Sequence, residues 1–362
     1  MRPVYVLGLF IPVAVVLKLA DAPDTAIFFT AAIGVIPTAA LMGRATEELA
    51  AQTGPGIGGL LNVTFGNAPE LIIALFALGK GLQEVVKASI VGSIISNILL
   101  VLGAAMFVGG LGREKQTFNR TVAHSQAAML LLALVAVVMP ALFELVRGHG
   151  LPMVGDTRVN YGSKVETISG IVSGILLISY CAGLIFSLRT HRGLFNPHLD
   201  GDEDEGGKRP WSVRRSVGLL AIAGAGVALM SELLVGSIEH AADSIGLSQF
   251  FIGVVVVAIV GNAAEHWVAV LVARKDKMDL AVNIAVGSSA QVALFVTPVL
   301  VFMSFVIGPH PMALVFNGYE VAAMLLAVII ANFTTQEGES NWFEGLQLLG
   351  VYVVLGVVFA FA

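Results

Sequence analysis

The chain has 362 residues, of which 57% are apolar and 12% are charged, and its formal net charge is −5. A soluble domain carries about 25% charged residues. A water-soluble protein of this length has too little interior to bury so much apolar side chain. The composition therefore excludes an ordinary soluble protein and indicates a solvent that is largely lipid. No basic stripe or basic patch interleaved with aromatic residues is present, so nucleic acid is not expected as a partner.

Apolar segments long enough to cross a bilayer, which takes about 17–25 helical residues, recur along the whole chain. Eleven are predicted, with approximate bounds 3–20, 25–43, 57–79, 84–110, 121–146, 165–188, 213–240, 248–273, 279–307, 311–333 and 344–361. The first also resembles a secretory signal, since Arg2 precedes an apolar run that ends near Ala20. Pro23 follows at once and disfavours cleavage, so we expect a retained helix. The predicted fold class is an all-α polytopic membrane protein whose partner is the lipid bilayer; its oligomeric state is open.

The distribution of Lys and Arg predicts the orientation, because loops on the cytoplasmic side are enriched in these residues. With eleven crossings, fourteen Lys and Arg lie on the side of the amino terminus and six lie on the opposite side. We therefore expect a multi-pass protein of a cell inner membrane or an equivalent membrane. Its amino terminus would be cytoplasmic, and its carboxyl terminus would lie on the opposite side.

One hydrophilic stretch separates the sixth and seventh spans, and residues 200–205 within it carry five acids. Their spacing resembles the opening of a calcium-binding EF-hand loop. Such a loop needs Gly at its sixth position and Glu at its twelfth, where this chain has Glu205 and Trp211. We therefore favour a solvated, acidic cytoplasmic linker over residues 189–212 rather than a specific calcium sensor.

An internal repeat relates the two halves of the chain. The third span contains Gly66-Asn67-Ala68-Pro69-Glu70, and the eighth contains Gly261-Asn262-Ala263-Ala264-Glu265, which is 195 residues later. The same offset relates Gly92-Ser93 to Gly287-Ser288. A coincidence of small residues that let helices pack closely would explain the glycines but not the matched carboxylates.

The repeat predicts the domain organisation. Residues 1–22 form an extra amino-terminal helix, and residues 23–188 and 213–362 form two repeats of five helices each. Because five crossings reverse the direction of entry, the two repeats are inverted relative to each other. Inverted repeats are typical of secondary transporters, whose substrate site lies near the midplane where the repeats meet.

Glu70 and Glu265 lie near the middle of their spans, where a carboxylate is costly unless it is paired, hydrated or protonated. The Gly-Asn pair before each Glu weakens the helix, and Pro69 removes a backbone donor. Irregular backbone at this depth is tolerated only where it is buried in protein or lines a cavity. We therefore expect both motif helices to be broken and to offer main-chain carbonyl oxygens beside the carboxylate and the Asn amide.

These groups are hard oxygen donors, and Ca²⁺ accepts six to eight of them in a flexible geometry, whereas Mg²⁺ requires a strict octahedron. The predicted metal site comprises Glu70, Glu265, Asn67, Asn262, Ser93, Ser288, Gln291, Gly66 and Gly261. Hydrogen bonding of each serine to its own helix is the alternative for the hydroxyls. The single Cys181 and the absence of an HExxH motif disfavour a zinc enzyme.

Two carboxylates neutralise one divalent cation. Without the cation, two like charges would be buried together, which favours protonation. Calcium and protons would then compete for the same oxygens, which is the minimal requirement for antiport. We expect no cofactor, since Ca²⁺ and H⁺ are the transported substrates.

Other polar residues near the motifs are candidates for an ion pathway or for coupling, although interfacial or structural roles are equally open. They are Glu47, Glu48, Glu239, His240, His266, Ser96, Asn97 and Ser289. Glu320 and His124 are weaker candidates.

The motif regions resemble the Ca²⁺/H⁺ (cation/proton) exchanger family of the cation/calcium exchanger superfamily. The resemblance is carried by Arg44-Ala45-Thr46-Glu47-Glu48, by both Gly-Asn motifs, by Asp276-Lys277-Met278-Asp279-Leu280-Ala281 and by Gly287-Ser288-Ser289-Ala290-Gln291. It covers nearly the whole chain. It implies one extra helix followed by two inverted five-helix repeats, in which the Glu of each motif binds Ca²⁺ and H⁺ alternately, supported by Asn262, Ser288 and Gln291.

Pro69 is a feature shared with sodium/calcium exchangers, whereas Gln291 stands where an acid is expected in sodium-coupled relatives. A Na⁺/Ca²⁺ antiporter of the same fold is therefore the first alternative function. A passive cation channel is a second. An intramembrane hydrolase is a third, although no pairing of a nucleophile with a base is visible.

Overall fold

The structure is a computed structural model that describes residues 2–156, 161–190 and 211–362. The described residues are almost entirely helical. The helices are α1 Val4–Leu19, α2 Asp24–Thr53, α3 Ile57–Gly66, α4 Ala68–Gly79, α5 Gln83–Gly110, α6 Arg120–Val146, α7 Ser163–Thr190, α8 Val213–Ile245, α9 Gln249–Arg274, α10 Met278–Ser304, α11 Gly318–Thr334 and α12 Trp342–Ala360. Two short strands are β1 Gln116–Thr117 and β2 Glu339–Ser340. Residues 191–210 of the predicted acidic linker lie outside the described residues.

Eight helices of the described chain are long and apolar enough to cross a membrane, namely α2, α5 to α10 and α12. The pair α3 and α4, which meets at an angle of 44°, makes a ninth candidate span. The helices α1 and α11 are apolar but shorter than 18 residues. Each of the eleven predicted spans overlaps one of these helices or the bent pair, and the number of actual crossings stays a prediction.

With α3 and α4 counted as one bent span, successive spans alternate in direction, so their ends form two faces. We call them the Arg44 face, which also carries Arg113 and Arg274, and the Lys80 face, which also carries Asp24 and Gln83. At the Arg44 face the chain reverses sharply between α2 and α3, although helical hydrogen bonding continues from Asp24 to Gly66. A Cβ on Gly58 would overlap the carbonyl of Ala50. In a straight helix two residues eight positions apart are separated by about 12 Å, so the chain folds back on itself here.

Three connections are joined at the Arg44 face. The strands β1 and β2 pair antiparallel, with Gln116 opposite Ser340, and Lys115 Nζ lies 2.7 Å from Glu339 Oε1. The Gln116 amide also donates to Asp276 Oδ1 at 2.9 Å, in the turn between α9 and α10. The loops before α6, before α10 and before α12 are therefore tied to one another.

The region before α11 differs from its prediction. The tenth span was predicted to begin at residue 311, but the helix begins at Gly318, and Met312–Asn317 is a buried segment without helical structure. Its backbone groups bond to side chains of three helices, which are Ser304, Ser169 and Lys87, at 2.7, 3.0 and 2.9 Å. Non-helical backbone of this kind is tolerated at depth because protein groups satisfy it.

Short π-helical segments interrupt four of the long helices. They are Ser96–Val101 in α5, Phe186–Thr190 in α7, Ile252–Val257 in α9, and Asn283–Gly287 and Val292–Val296 in α10. Such segments are frequent at functional sites. The segments Ser96–Val101 and Val292–Val296 occupy corresponding positions of the predicted repeats.

Candidate cation site

The two motif glutamates reach the protein interior from differently built helices. Glu70 lies in the first turn of α4, directly after the bend at Asn67, and Pro69 occupies that same turn. Glu265 lies inside a helix that runs unbroken from Ala258 to Arg274. The prediction of a broken helix is therefore right for the first motif and wrong for the second.

The continuity of the second motif has a local cause. Ala264 keeps the backbone N–H that Pro69 lacks in the first motif, so no helical hydrogen bond has to be lost. The Asn262 amide donates to the Ala258 carbonyl of its own helix at 3.0 Å. The backbone carbonyls of this motif are thus used within α9, and the cation ligands it can offer are side chains.

Glycines bring the two glutamates together where α4 and α9 meet. A Cβ placed on Gly261 would lie 3.1 Å from Glu70 Cγ, and a Cβ on Gly66 would lie 3.4 Å from Glu265 Oε1. Each glutamate therefore packs against the glycine that precedes the other glutamate by four residues. An added Cβ at Gly261 would press on Glu70, whereas one at Gly66 would make an ordinary contact with Glu265.

The amides and hydroxyls of the two halves are paired in the same reciprocal way. Ser288 Oγ donates to Asn67 Oδ1 at 3.2 Å, and Asn262 Nδ2 donates to Ser93 Oγ at 3.1 Å. The two pairs correspond under the repeat offset of 195 residues, which relates Asn67 to Asn262 and Ser93 to Ser288. Asn67 Nδ2 donates in addition to Gln291 Oε1 at 2.7 Å, a bond without a counterpart in the other half.

Four oxygen atoms in this region are buried and accept no hydrogen bond from any described residue. They are both carboxylate oxygens of Glu70, Oε2 of Glu265 and Oδ1 of Asn262. Buried acceptors of this kind normally have a donor, so a group of four indicates a place for a cation or for protons. The described residues contain no cluster of three or more His, Cys, Asp or Glu side chains. Three of the four oxygens belong to Glu70 and Glu265, so these two residues supply the negative charge of the group.

A cavity of about 380 Å³ leads from the Arg44 face to Glu265. Its polar lining consists of Tyr5, Arg44, Thr46, Glu47, Asn62, Glu265, Asn283, Ser288 and Gln291. Glu70 does not line it. Glu70 instead lines a cavity of about 10 Å³, together with Ser93. Access to the two glutamates is therefore unequal, and Glu265 is the one reached from the Arg44 face.

The predicted pathway residues separate into two groups. Glu47 lines the large cavity, but the carboxylate of its neighbour Glu48 accepts from the Trp211 backbone N–H at 3.0 Å. Glu239 and His240 are exposed at the Lys80 face, where His240 Nδ1 lies 3.4 Å from Asp24 Oδ2. The structure thus brings only Glu47 of these four to the cavity.

The remaining predicted residues lie close to the site with different roles. His266 Nε2 lies 3.2 Å from Asn97 Oδ1 and so faces α5. Ser96 and Ser289 bond to carbonyls of their own helices, Ser93 and Ala285, at 3.3 and 3.0 Å. The back-bonding alternative therefore describes Ser96 and Ser289, whereas Ser93 and Ser288 are engaged with the Asn side chains.

Several polar residues near the site were not among the predicted site residues, and Tyr5, Arg44 and Thr46 of the large cavity are three of them. Asn62 and Asn283 line the large cavity, and Ser89 lines the small one. Asn283 Oδ1 accepts from Gln126 Nε2 at 2.5 Å. All of these are polar residues in apolar helices, so the rule that identified Ser93 and Ser288 would have found them. The weaker candidate Glu320 caps the start of α11 with Asn317, and His124 is exposed.

Known proteins resemble this chain over nearly its whole length. The profile of the sodium/calcium exchanger protein family matches residues 24–189 and 215–361. A Ca(2+)/H(+) antiporter of Aphanothece halophytica is 43% identical over 98% of this chain and 95% of its own length. The Ca(2+)/H(+) antiporter ChaA of Bacillus subtilis is 43% identical over 96% of both chains. The solved structure of native YfkE is similar with a TM-score of 0.83 and 38% identity, over 99% of this chain and 100% of that one. The chain belongs to the sodium/calcium exchanger protein family.

Proposed function

We propose that this protein is a secondary active transporter that removes Ca²⁺ from the cytosol, by export or sequestration, in exchange for H⁺. The observation that carries the proposal is the group of four buried oxygens of Glu70, Glu265 and Asn262 that have no hydrogen-bond donor. They lie where each glutamate packs against the glycine of the other motif. Relatives at 43% identity over nearly the whole chain are named Ca(2+)/H(+) antiporters, which supports the same pair of substrates here.

Charge balance explains why these oxygens serve two kinds of substrate. One Ca²⁺ neutralises both carboxylates, and two protons do the same. A half-loaded site would leave an uncompensated charge at membrane depth, which costs several kcal/mol. Only the protein with one bound Ca²⁺ or with two bound protons can therefore switch the site from one side of the membrane to the other. The amides of Asn67 and Asn262 and the hydroxyls of Ser93 and Ser288 add neutral oxygens that suit Ca²⁺.

The proposed mechanism is alternating access between two inverted repeats of five helices, preceded by one extra helix. Two observations support it: the side-chain pairs related by 195 residues, and the family profile, which matches two separate stretches. The Lys and Arg distribution makes the Arg44 face cytoplasmic. The cavity of about 380 Å³ would then be the cytoplasmic route by which Ca²⁺ reaches Glu265.

Transport into sodium-free vesicles that contain the purified protein tests this function. With an imposed pH gradient, we expect Ca²⁺ to accumulate against its own gradient and to stop when a protonophore collapses the pH difference. Uptake that requires a sodium gradient would show a Na⁺/Ca²⁺ antiporter. Calcium flux that only follows the Ca²⁺ concentration gradient, whatever the pH gradient, would show a passive channel.

Calcium binding to the purified protein tests the competition directly. Calcium needs deprotonated carboxylates, so its affinity should weaken as pH falls and level off at alkaline pH. If two protons leave for each Ca²⁺, the affinity changes by up to about a hundredfold per pH unit in the steep region. A binding constant that stays level from mildly acid to alkaline pH would contradict direct competition.

A further inference from the structure

Trp211, which lies two residues before α8, is held against the carboxyl-terminal part of α2. Its backbone N–H donates to Glu48 Oε2 at 3.0 Å, and its carbonyl accepts from the side-chain amide of Gln52. The Arg44 guanidinium lies 4.7 Å from the centre of its indole ring. Arg44, Glu48 and Gln52 are spaced four residues apart and therefore lie on one face of α2. This face holds both the backbone and the ring of Trp211.

The indole ring of Trp211 is placed where it attracts cations. Arg215, in the first turn of α8, also has its guanidinium 4.7 Å from the ring centre. An aromatic ring attracts a guanidinium electrostatically, and the indole of tryptophan does so best. Because Glu48 and Gln52 bond to the Trp211 backbone, the place of the ring does not depend on either arginine. The ring is therefore a fixed partner for the Arg44 guanidinium.

Arg44 is at the same time part of the lining of the large cavity, together with Glu47. Glu47 follows it by three residues on α2, a spacing at which an arginine and a glutamate can pair. In the part of the chain that the structure describes, the two form no ion pair. The guanidinium lies at the Trp211 ring instead. The Glu47 carboxylate is therefore not neutralised by Arg44 and can attract a cation that enters from the Arg44 face.

Two groups attract the Arg44 guanidinium, which are the Trp211 ring and the Glu47 carboxylate. A cation–π contact with an indole contributes at least as much as an exposed ion pair between residues three apart on a helix. The observed position of the guanidinium is the one at the ring. Without the ring, only the attraction of the carboxylate would remain, and Arg44 would turn into the cavity.

We propose that Trp211 is a positioning residue, which holds the Arg44 guanidinium away from Glu47 and so keeps the large cavity open to calcium. The role rests on the proposed function, since it concerns how calcium enters from the Arg44 face. A pair of Arg44 with Glu47 would neutralise the carboxylate and place a positive charge on the route to Glu265. Like charges repel, and a cleft attracts cations less once its negative charge is neutralised. Calcium entry would slow, while the groups that bind calcium would be unchanged.

Initial rates of calcium uptake at a series of calcium concentrations test the role. Everted membrane vesicles present the Arg44 face to the medium in the proposed orientation. Trp211→Ala should raise the KM for calcium about three- to fivefold, as expected for the loss of one cation–π contact. Its maximal rate should change by less than about twofold, because the binding groups are intact. Trp211→Phe keeps a ring for Arg44, so its KM should stay within about twofold of that of the unaltered protein.

Two further variants separate positioning from a structural defect. In an Arg44→Gln background no guanidinium can turn into the cavity, so adding Trp211→Ala should change the KM by less than about 1.5-fold. Trp342→Ala is the matched control, because Trp342 lies at the same face, at the start of α12, and lines neither cavity. An equal loss from Trp211→Ala in both backgrounds would overturn the proposal, since the effect would not depend on Arg44. An unchanged KM for Trp211→Ala in the protein that keeps Arg44 would overturn it as well.

Tryptophan fluorescence supplies a reading that needs no calcium. With Trp267 and Trp342 replaced by phenylalanine, Trp211 is the only tryptophan of the chain. Arg44→Gln uncovers its ring, so quenching of the fluorescence by acrylamide should increase, whereas Arg120→Gln, at an exposed arginine of the same face, should leave it unchanged. Unchanged quenching in Arg44→Gln would overturn the proposal whichever cation the protein carries. Absence of calcium uptake by the unaltered protein would overturn only the proposed function.

Discussion

The two motif regions have nearly the same sequence but are built in different ways. In the first, the helix bends by 44° at Asn67 and Glu70 begins a new helix. In the second, Glu265 lies in the part of α9 that runs as an unbroken α-helix from Ala258 to Arg274. Asn67 bonds across the molecule to both Ser288 and Gln291. The Asn262 amide donates both to Ser93 Oγ and to the Ala258 carbonyl of its own helix.

This difference shows which features of a repeated site have to match. The carboxylates, the glycines and the Asn–Ser pairs correspond between the two halves under the offset of 195 residues, and they meet where the two motif regions pack together. The backbone around them is not reciprocal, and neither are Pro69 and Gln291. We infer that the chemistry of the site depends on the side chains, while the bend and the extra amide bond belong to one half alone.

The largest expected effect comes from the reciprocal carboxylates. Glu70→Gln and Glu265→Gln should each abolish exchange, because the amide keeps the shape and removes a charge that one Ca²⁺ requires. The matched control is Glu337→Gln, at an exposed residue of the loop before α12. Exchange should be measured in vesicles, and folding by gel filtration and thermal unfolding. Normal transport by either purified variant would remove the central claim, and activity in only one of them would show that the halves are not equivalent.

A smaller effect is expected from the glycines against which the carboxylates pack. Gly261→Ala puts a Cβ 3.1 Å from Glu70 Cγ, which is tight, whereas Gly66→Ala puts one 3.4 Å from Glu265 Oε1, an ordinary contact. We expect Gly261→Ala to lower the exchange rate about tenfold, roughly 1.4 kcal/mol in the barrier, and Gly66→Ala to lower it less. Gly174→Ala in α7 is the control, since no atom lies within 4 Å of its added Cβ. The reverse order of the two effects would contradict the described packing.

Loss of the hydrogen bond between Asn67 and Gln291, which only one half makes, should weaken calcium binding moderately. Gln291→Ala removes the acceptor of Asn67 Nδ2 and should weaken calcium binding about fivefold, or about 1 kcal/mol. Ser96 occupies the corresponding position and bonds to its own helix, so Ser96→Ala should leave the affinity nearly unchanged. Equal losses in the two variants, measured by calcium titration at alkaline pH, would mean that Ser96 also supports the site.

The smallest effect is expected from the residue that distinguishes the two motifs in sequence. Pro69→Ala gives the first motif the alanine of the second. Pro69 lies in the first turn of α4, where a helix needs no N–H donor, and Asn67 is held at the bend by Ser288 and Gln291. Exchange should therefore change by less than about threefold, about 0.7 kcal/mol. A large loss would indicate that the carbonyl freed by proline is a cation ligand.

Sequence reasoning could predict the helices and the central residues because both rest on local rules. Apolar length located each long helix of the described residues, with α3 and α4 as one span, and a charged residue in an apolar span singled out Glu70 and Glu265. The Gly-Asn pair together with Pro69 predicts the bend at the first motif. The continuity of the second motif did not follow, because whether a Gly-Asn pair breaks a helix depends on where the Asn amide bonds. The positions of Glu48, Glu239 and His240 away from the large cavity depend on how distant helices pack, which a single sequence does not specify.

The buried segment Met312–Asn317 has a consequence for how the protein assembles. Its backbone groups find partners on Ser304, Ser169 and Lys87, which belong to α10, α7 and α5. A helix that enters the bilayer alone satisfies its own backbone, but this segment cannot, and its polar groups would be exposed to lipid. The connection before α11 therefore reaches its final place only after those three helices have come together. We therefore expect completion of the carboxyl-terminal part to be a late step of biogenesis, and substitution of Ser169 or Lys87 to slow the maturation of newly made chains.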